Sequence, residues 1–167
     1  MIVPYAGSME RVREMVRAYR AAWRDAGHPP RCEQVQSSLH CYVAGTRREA
    51  VEGARPRVKR YIEVFSEAVS SWVGHQASQY AGYDKIVDAI GRTTIESMLR
   101  DRQALIGTPD DVVEQLRYHI EVFGEFEPSL QINFGGTGEA EALRTLEILA
   151  REVMPMFAGG RHVRPPA

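Results

Sequence analysis

A helix-rich α/β fold with about three parallel strands is predicted by three stretches in the last third of the chain. IGTPDDVVEQL opens a helix, LQINFGG reads as a buried strand, and ALRTLEILAREVMPMF closes as another helix. Apolar residues switch here between the period of a strand and that of a helix, the pattern of an α/β sheet.

The elements follow in order. MIVPYAG reads as a short buried strand beginning at residue 1. Domains seldom start inside a core strand, so a truncated gene or a fragment is expected. Between Ser8 and Ala26 the residues Val12, Met15, Val16, Tyr19, Trp23 and Ala26 recur at helical spacing and define one buried face. Gly27 supplies a left-handed stop, and His28-Pro29-Pro30 prevents continuation. Val35 to Ala44 has the length and composition of a strand.

Thr46 with Glu49 makes a capping box for a helix through Ala50, Val51, Ala54, Val58, Ile62 and Phe65, which Pro56 is expected to bend or divide. From Ser66 the periodicity weakens, and residues 66–102 read as a helical insertion closed by a short helix with Thr93 and Glu96 as its capping box. Thr108, Pro109, Asp110 and Asp111 make the clearest helix start in the chain. The buried stripe of that helix is Val112, Val113, Leu116, Ile120 and Phe123. Leu130–Phe134 is the third strand, the Gly135-Gly136-Thr137-Gly138 loop follows, and the last helix buries Leu143, Leu146, Leu149, Ala150 and Val153. The domain is expected over 1–157, with 158–167 a disordered tail.

Composition narrows the function. The chain has 167 residues, 44% hydrophobic and 26% charged, enough for one sizeable core. Its 21 basic and 22 acidic residues leave a net charge of −1, too weak a field to gather nucleic acid. No apolar run approaches the roughly 20 residues of a membrane span, and no secretion signal opens the chain, so a cytoplasmic protein is expected. Cys32 and Cys41 form neither a disulfide framework nor a zinc-type set, and both are expected to pack as small hydrophobes.

Strand side chains alternate between faces. Leu39, Cys41 and Val43 share one face of the second strand, and Ser38, His40 and Tyr42 share the other; Gln131 and Asn133 likewise oppose Leu130, Ile132 and Phe134. Such polar residues need partners, from each other, from water or from a ligand. A hydrogen-bonded core role for His40, Gln131 and Asn133 is the competing reading. His28, His75, His119 and His162 read as surface residues. FGGTG after a strand, and Gly107-Thr108 before a helix, have the geometry that offers backbone N–H groups to an anion, although a Gly before a well-capped helix is more often just a tight turn. Neither a dinucleotide fingerprint nor a P-loop is present. No carboxylate pair, Ser-His-Asp set or metal-ligand cluster stands out.

Four segments occur in an order that carries a family resemblance: YVAGTRREAVEGA, IGTPDDVVEQL, LQINFGG and LEILAREVMP. Together they resemble the luciferase-like flavin-dependent monooxygenases. The resemblance implies the carboxyl-terminal part of a (β/α)8 TIM barrel, a fold of about 250 residues. MIVPY then corresponds to barrel strand six, Leu39–Ala44 to strand seven and Leu130–Phe134 to strand eight. It further implies an oxidoreductase using reduced FMN, or in a related branch a deazaflavin, with oxygen on a small organic substrate. No metal is implied.

The polar strand face then turns to the barrel interior, which makes His40, Tyr42, Gln131, Asn133, Gly135 and Gly136 the candidate cofactor contacts. No catalytic residue is assigned, because the early strands, a serine-containing phosphate loop and the usual catalytic histidine region have no counterpart in this sequence. Open strand edges imply a homo-oligomer or a complementing amino-terminal half. The alternative is a non-catalytic accessory or oligomerisation module derived from such a barrel.

Overall fold

In a computed structural model, described for residues 1–3, 8–70 and 88–158, a helix-rich α/β chain is built on a small parallel sheet. Strand β1 (Ile2–Val3) is followed by helix α1 (Met9–Asp25), β2 (Gln36–Val43) and α2 (Arg47–Ser70). Then come α3 (Ile95–Arg100), β3 (Ala104–Gly107), α4 (Pro109–Phe123), β4 (Glu127–Gln131) and α5 (Glu139–Ile148). The last helix continues through a π-type turn, Leu149–Val153, into a 3-10 turn, Met154–Met156. Expectations for residues 4–7, His75, the middle of the 66–102 stretch and His162 in the tail lie outside the described residues.

β2 joins the sheet. Gln36 and Ser37 pair with both β1 and β4, while His40 pairs with both β3 and β4, all parallel. A residue has one partner on each side, so β4 takes one edge of β2, and β1 and β3 take successive stretches of the other. β3 is a fourth strand beyond the about three expected. Its ALIG sequence is too short to show a period, and it is buried along its whole length. The last strand is Glu127–Gln131 rather than Leu130–Phe134, because its register is set by β2, from Gln36↔Glu127 to His40↔Gln131.

Helices cover both faces. Leu39, Cys41, Val43 and Leu105 pack with Val112, Val113 and Leu116 of α4 and with Leu149 and Val153 of the last helix. On the opposite face Ala104 and Ile106 pack under Ala50, Ala54, Val58 and Ile62 of α2 and Ile95 and Met98 of α3. α1 lies against α4 through Val12, Val16, Val122 and Phe123. Arg20 of α1 donates to the carbonyls of Phe123 and Glu125, at 2.7 Å for the latter, and so satisfies acceptors that α4 leaves open at its end.

Several local expectations change for physical reasons. Pro56 does not divide α2; its ring is on the exposed side, while Ala54 and Val58 pack inward on either side of it. The cap of α3 is Thr94, with Ser97 as its reciprocal partner, rather than Thr93 with Glu96. Leu143 and Leu146 are about half exposed, whereas Thr145 is buried and its hydroxyl oxygen accepts from the Val43 amide at 3.4 Å. Cys41 is buried, but Cys32 is exposed.

His119, expected on the surface, is fully buried, and Ile120, expected in the core, is 43% exposed. The ring of His119 stacks on Phe123 at 5.5 Å, and its Nε2 lies 2.9 Å from the Arg102 carbonyl, to which it donates as Nε2–H. Arg102 has a left-handed backbone, φ 53°, and its guanidinium lies 4.4 Å from the Tyr118 ring centre. Burial lowers the pKa of His119. An unfolded histidine takes up its proton near about pH 6.5 while the buried ring stays neutral, so this stabilisation is complete above about 6.5 and is lost as pH falls below it. Urea unfolding at pH 7, 6 and 5 is expected to show falling stability, with a shallower fall in His119→Phe; an unchanged slope in the variant would rule His119 out as a source.

Candidate functional site

The candidate residues gather at the carboxyl ends of β2 and β4. His40 and Gln131 are direct cross-strand partners and share a sheet face with Ser38 and Tyr42. Gln131 Nε2 donates to Ser38 Oγ at 2.7 Å. The polar row therefore satisfies part of its own hydrogen bonding.

The face that the barrel reading turns towards an interior is covered by α2 in this chain. His40 is 2% exposed and sits edge-on to Tyr61 of α2 at 4.3 Å and to Phe134 at 4.6 Å. Burial brings its pKa down to about 4, so the imidazole is neutral at physiological pH. Phe134 joins this face instead of opposing Gln131, because strand alternation stops when β4 ends at Gln131. Tyr42 is half-buried beside α2, so close that a side-chain carbon at Gly53 would come within 2.5 Å of its hydroxyl oxygen. Any larger residue there would have to displace the Tyr42 ring.

Beyond β4 the chain is more open. Asn133 is exposed, and nothing lies within 4 Å of where a side chain at Gly136 would begin. Gly135 differs: with φ +56° it holds a left-handed conformation, and a side chain there would overlap the carbonyl oxygen of Arg57 on α2. The two glycines thus have different duties, one permitting close packing of α2 and the other leaving bare backbone at the end of the sheet.

Three helices start at the carboxyl ends of β2, β3 and β4, and each presents a carboxylate of its own to its cap amide. Glu49 accepts from the Thr46 amide at 3.1 Å, Asp111 from the Thr108 amide at 3.0 Å, and Glu141 from the Gly138 amide at 3.2 Å. The first two are capping boxes, closed by the Thr46 and Thr108 hydroxyls, whereas Gly138 has no side chain to reciprocate; all three take up an N–H group that an anion would otherwise use. Arg47, the first residue of α2, is 3.4 Å from Asp111, which occupies its charge within the fold.

Glu141 was not singled out from sequence. Its Oε2 accepts from Arg57 Nη2 at 2.6 Å, and its Oε1 accepts from the Tyr42 hydroxyl at 3.1 Å. The hydrogen bond from Arg57 is the main cause holding this carboxyl below its ordinary pKa. Glu141 stands three residues after Gly138, and that spacing signals a cap; contact with Tyr42 and Arg57 is tertiary. Among the described residues no group of three or more His, Cys, Asp or Glu could hold a metal ion, and no helix is long and apolar enough to cross a membrane.

Parallel strands with helices on both faces define an α/β fold, the class in which ligands are commonly bound at the carboxyl ends of the strands. The family model for luciferase-like monooxygenases matches residues 1–124, and the chain belongs to that family. Among solved structures, monooxygenase RslO1 from Streptomyces bottropensis is 26% identical with a TM-score of 0.65, over 94% of this chain and 41% of that one. The oxygenating constituent of 3,6-diketocamphane monooxygenase from the CAM plasmid of Pseudomonas putida, solved with FMN, is 21% identical with a TM-score of 0.62, over 92% of this chain and 41% of that one. Riboflavin lyase RcaE, solved with modified FMN and riboflavin, is 16% identical with a TM-score of 0.56, over 95% and 38% of the respective chains. The latter two likenesses are of fold. The chain spans about two-fifths of the length of the structures it matches. Comparison with curated proteins returns no match.

Gly135→Ala is expected to destabilise the chain by more than Gly136→Ala. Both substitutions carry about 1–2 kcal/mol of left-handed backbone cost, but only Gly135→Ala also overlaps Arg57. Urea unfolding of both variants checks the order; equal losses would show that α2 yields freely.

Proposed function

We propose that this chain forms the carboxyl-terminal wall of a flavin-dependent monooxygenase that uses reduced FMN and oxygen on a small organic substrate. The observation that carries the reading is the pairing of His40 with Gln131 on two parallel strands, with Tyr42 near the carboxyl end of one and Asn133, Gly135 and Gly136 just beyond the other, in a chain of the luciferase-like family. FMN in the 3,6-diketocamphane monooxygenase structure supports flavin over the related deazaflavin.

The residues fit a flavin edge at the strand end better than a ring laid on the sheet. Asn133 is exposed, and Gly136 leaves backbone that a planar ring can approach, whereas His40 lies beneath Tyr61 and Phe134. Bound flavin supplies the redox chemistry with oxygen. On this chain Asn133 offers an amide to its polar edge, Gln131 and Ser38 hold the strand end, and neutral His40 keeps charge away from the apolar side.

A second reading has its own support. Leu143, Leu146, Met154 and Met156 are between 47% and 65% exposed along the last helix, and β4 pairs on one edge only among the described residues. Those features favour assembly, either with a second copy or with a complementing amino-terminal half, and an accessory module would show them equally. A cytoplasmic, soluble protein is part of both readings.

Titration of the purified chain with FMN, followed by flavin fluorescence and by light scattering on the same samples, separates them. Saturable binding of one flavin per chain, weakened in Asn133→Ala, is the expected result. A stable oligomer that binds no FMN up to millimolar concentration would sink flavin binding by this chain unaided and favour the accessory reading.

A further inference from the structure

We infer that Arg57 is a positioning residue for the glycine loop of the candidate flavin site, gripping it at both ends from α2. The inference rests on the flavin reading of that loop for its functional meaning, but the grip itself is geometric. At the near end the Arg57 carbonyl occupies the space that any side chain at Gly135 would require. At the far end the Arg57 guanidinium donates to Glu141 at 2.6 Å, and the same carboxylate oxygen accepts the Gly138 amide at 3.2 Å. Backbone and side chain of one residue thus bracket Gly135 to Gly138.

Tyr42 completes the arrangement from β2 by donating to the other oxygen of Glu141 at 3.1 Å. Side chains of Arg57 and Glu141 are 25% and 22% exposed, so their ion pair is screened less than a surface pair. A loop with two consecutive glycines in left-handed conformations, φ 56° and 80°, has little intrinsic preference for one path. Its conformation must be imposed from outside. Thr137 supplies one local restraint, a hydroxyl bond to the Phe134 carbonyl at 2.7 Å, and Arg57 supplies the connection to the packed helix.

The consequence is a division of labour in which Arg57 acts through the loop and sets where Gly136, between its two points of attachment, stands. Replacing it should loosen the loop without unfolding the core, because its partly exposed side chain pairs with Glu141 rather than packing in the apolar interior.

Amide hydrogen exchange at Gly135 to Gly138, with thermal unfolding and FMN affinity measured on the same preparations, tests this in the wild type, Arg57→Ala, Arg57→Lys and Glu141→Gln. Loss of the charged hydrogen bond is expected to speed exchange at these amides about tenfold in Arg57→Ala. Glu141→Gln should show a smaller increase, and Arg57→Lys should recover part of the protection. Exchange across β2 should stay unchanged, and FMN affinity should fall in the same order as loop protection. Unchanged loop exchange in Arg57→Ala, or equal acceleration through β2, would overturn the positioning role. Absence of FMN binding in the wild type would instead overturn the flavin reading, leaving the grip to be judged by exchange and by Arg57→Lys recovery.

Discussion

Among the described residues, β1, β3 and β4 each pair with β2, and no other pairing joins them. β2 therefore has to be buried on both faces and bonded along both edges. Its sequence, QSSLHCYV, meets that demand unevenly: Leu39, Cys41 and Val43 face α4 with apolar side chains, while Ser38, His40 and Tyr42 put polar groups on the face that α2 covers. Parallel sheets are stable when covered on both sides, and polar groups under such a cover must find partners within the fold. Gln131, Glu141, Tyr61 and Phe134 stand where they do partly because the polar face of β2 has to be accommodated.

That requirement ties fold and candidate site together. α2 comes close enough to cover the polar face because Gly53 lies under the Tyr42 ring and Gly135 under the Arg57 carbonyl. The same closeness brings Arg57 to Glu141, which caps α5 and meets Tyr42. Packing, capping and loop placement at the end of the sheet are one set of contacts. In a member of the luciferase-like family, this places the open backbone at Gly136 and Asn133 next to a rigid wall.

Sequence periodicity recovered the long elements because their apolar stripes are repeated several times. α1 begins after the Ser8 cap and is stopped beyond Asp25 by Gly27 at φ +74°, as its residues indicated. β3 was not legible, since four apolar residues between a helix and a cap carry no period. The inward turn of His119 in place of Ile120 was not legible either. It depends on the Arg102 carbonyl, a partner 17 residues away that becomes an acceptor only when the chain folds back. Thr145 likewise displaces leucines from the core because the end of β2 presents an amide to it.

By itself the sequence determined the class of fold, the order of the long elements, the helix starts at Thr108 and Thr46, and the family, because these depend on local propensity and on motifs contiguous in the chain. Tertiary structure decided which polar residues are covered and which are open. His40 and Asn133 look alike as polar residues in apolar strands, yet one is packed against Tyr61 and Phe134 and the other stands exposed beyond the end of β4. Strand alternation specifies a face, but only the register with β2 and the path of α2 specify what lies upon it.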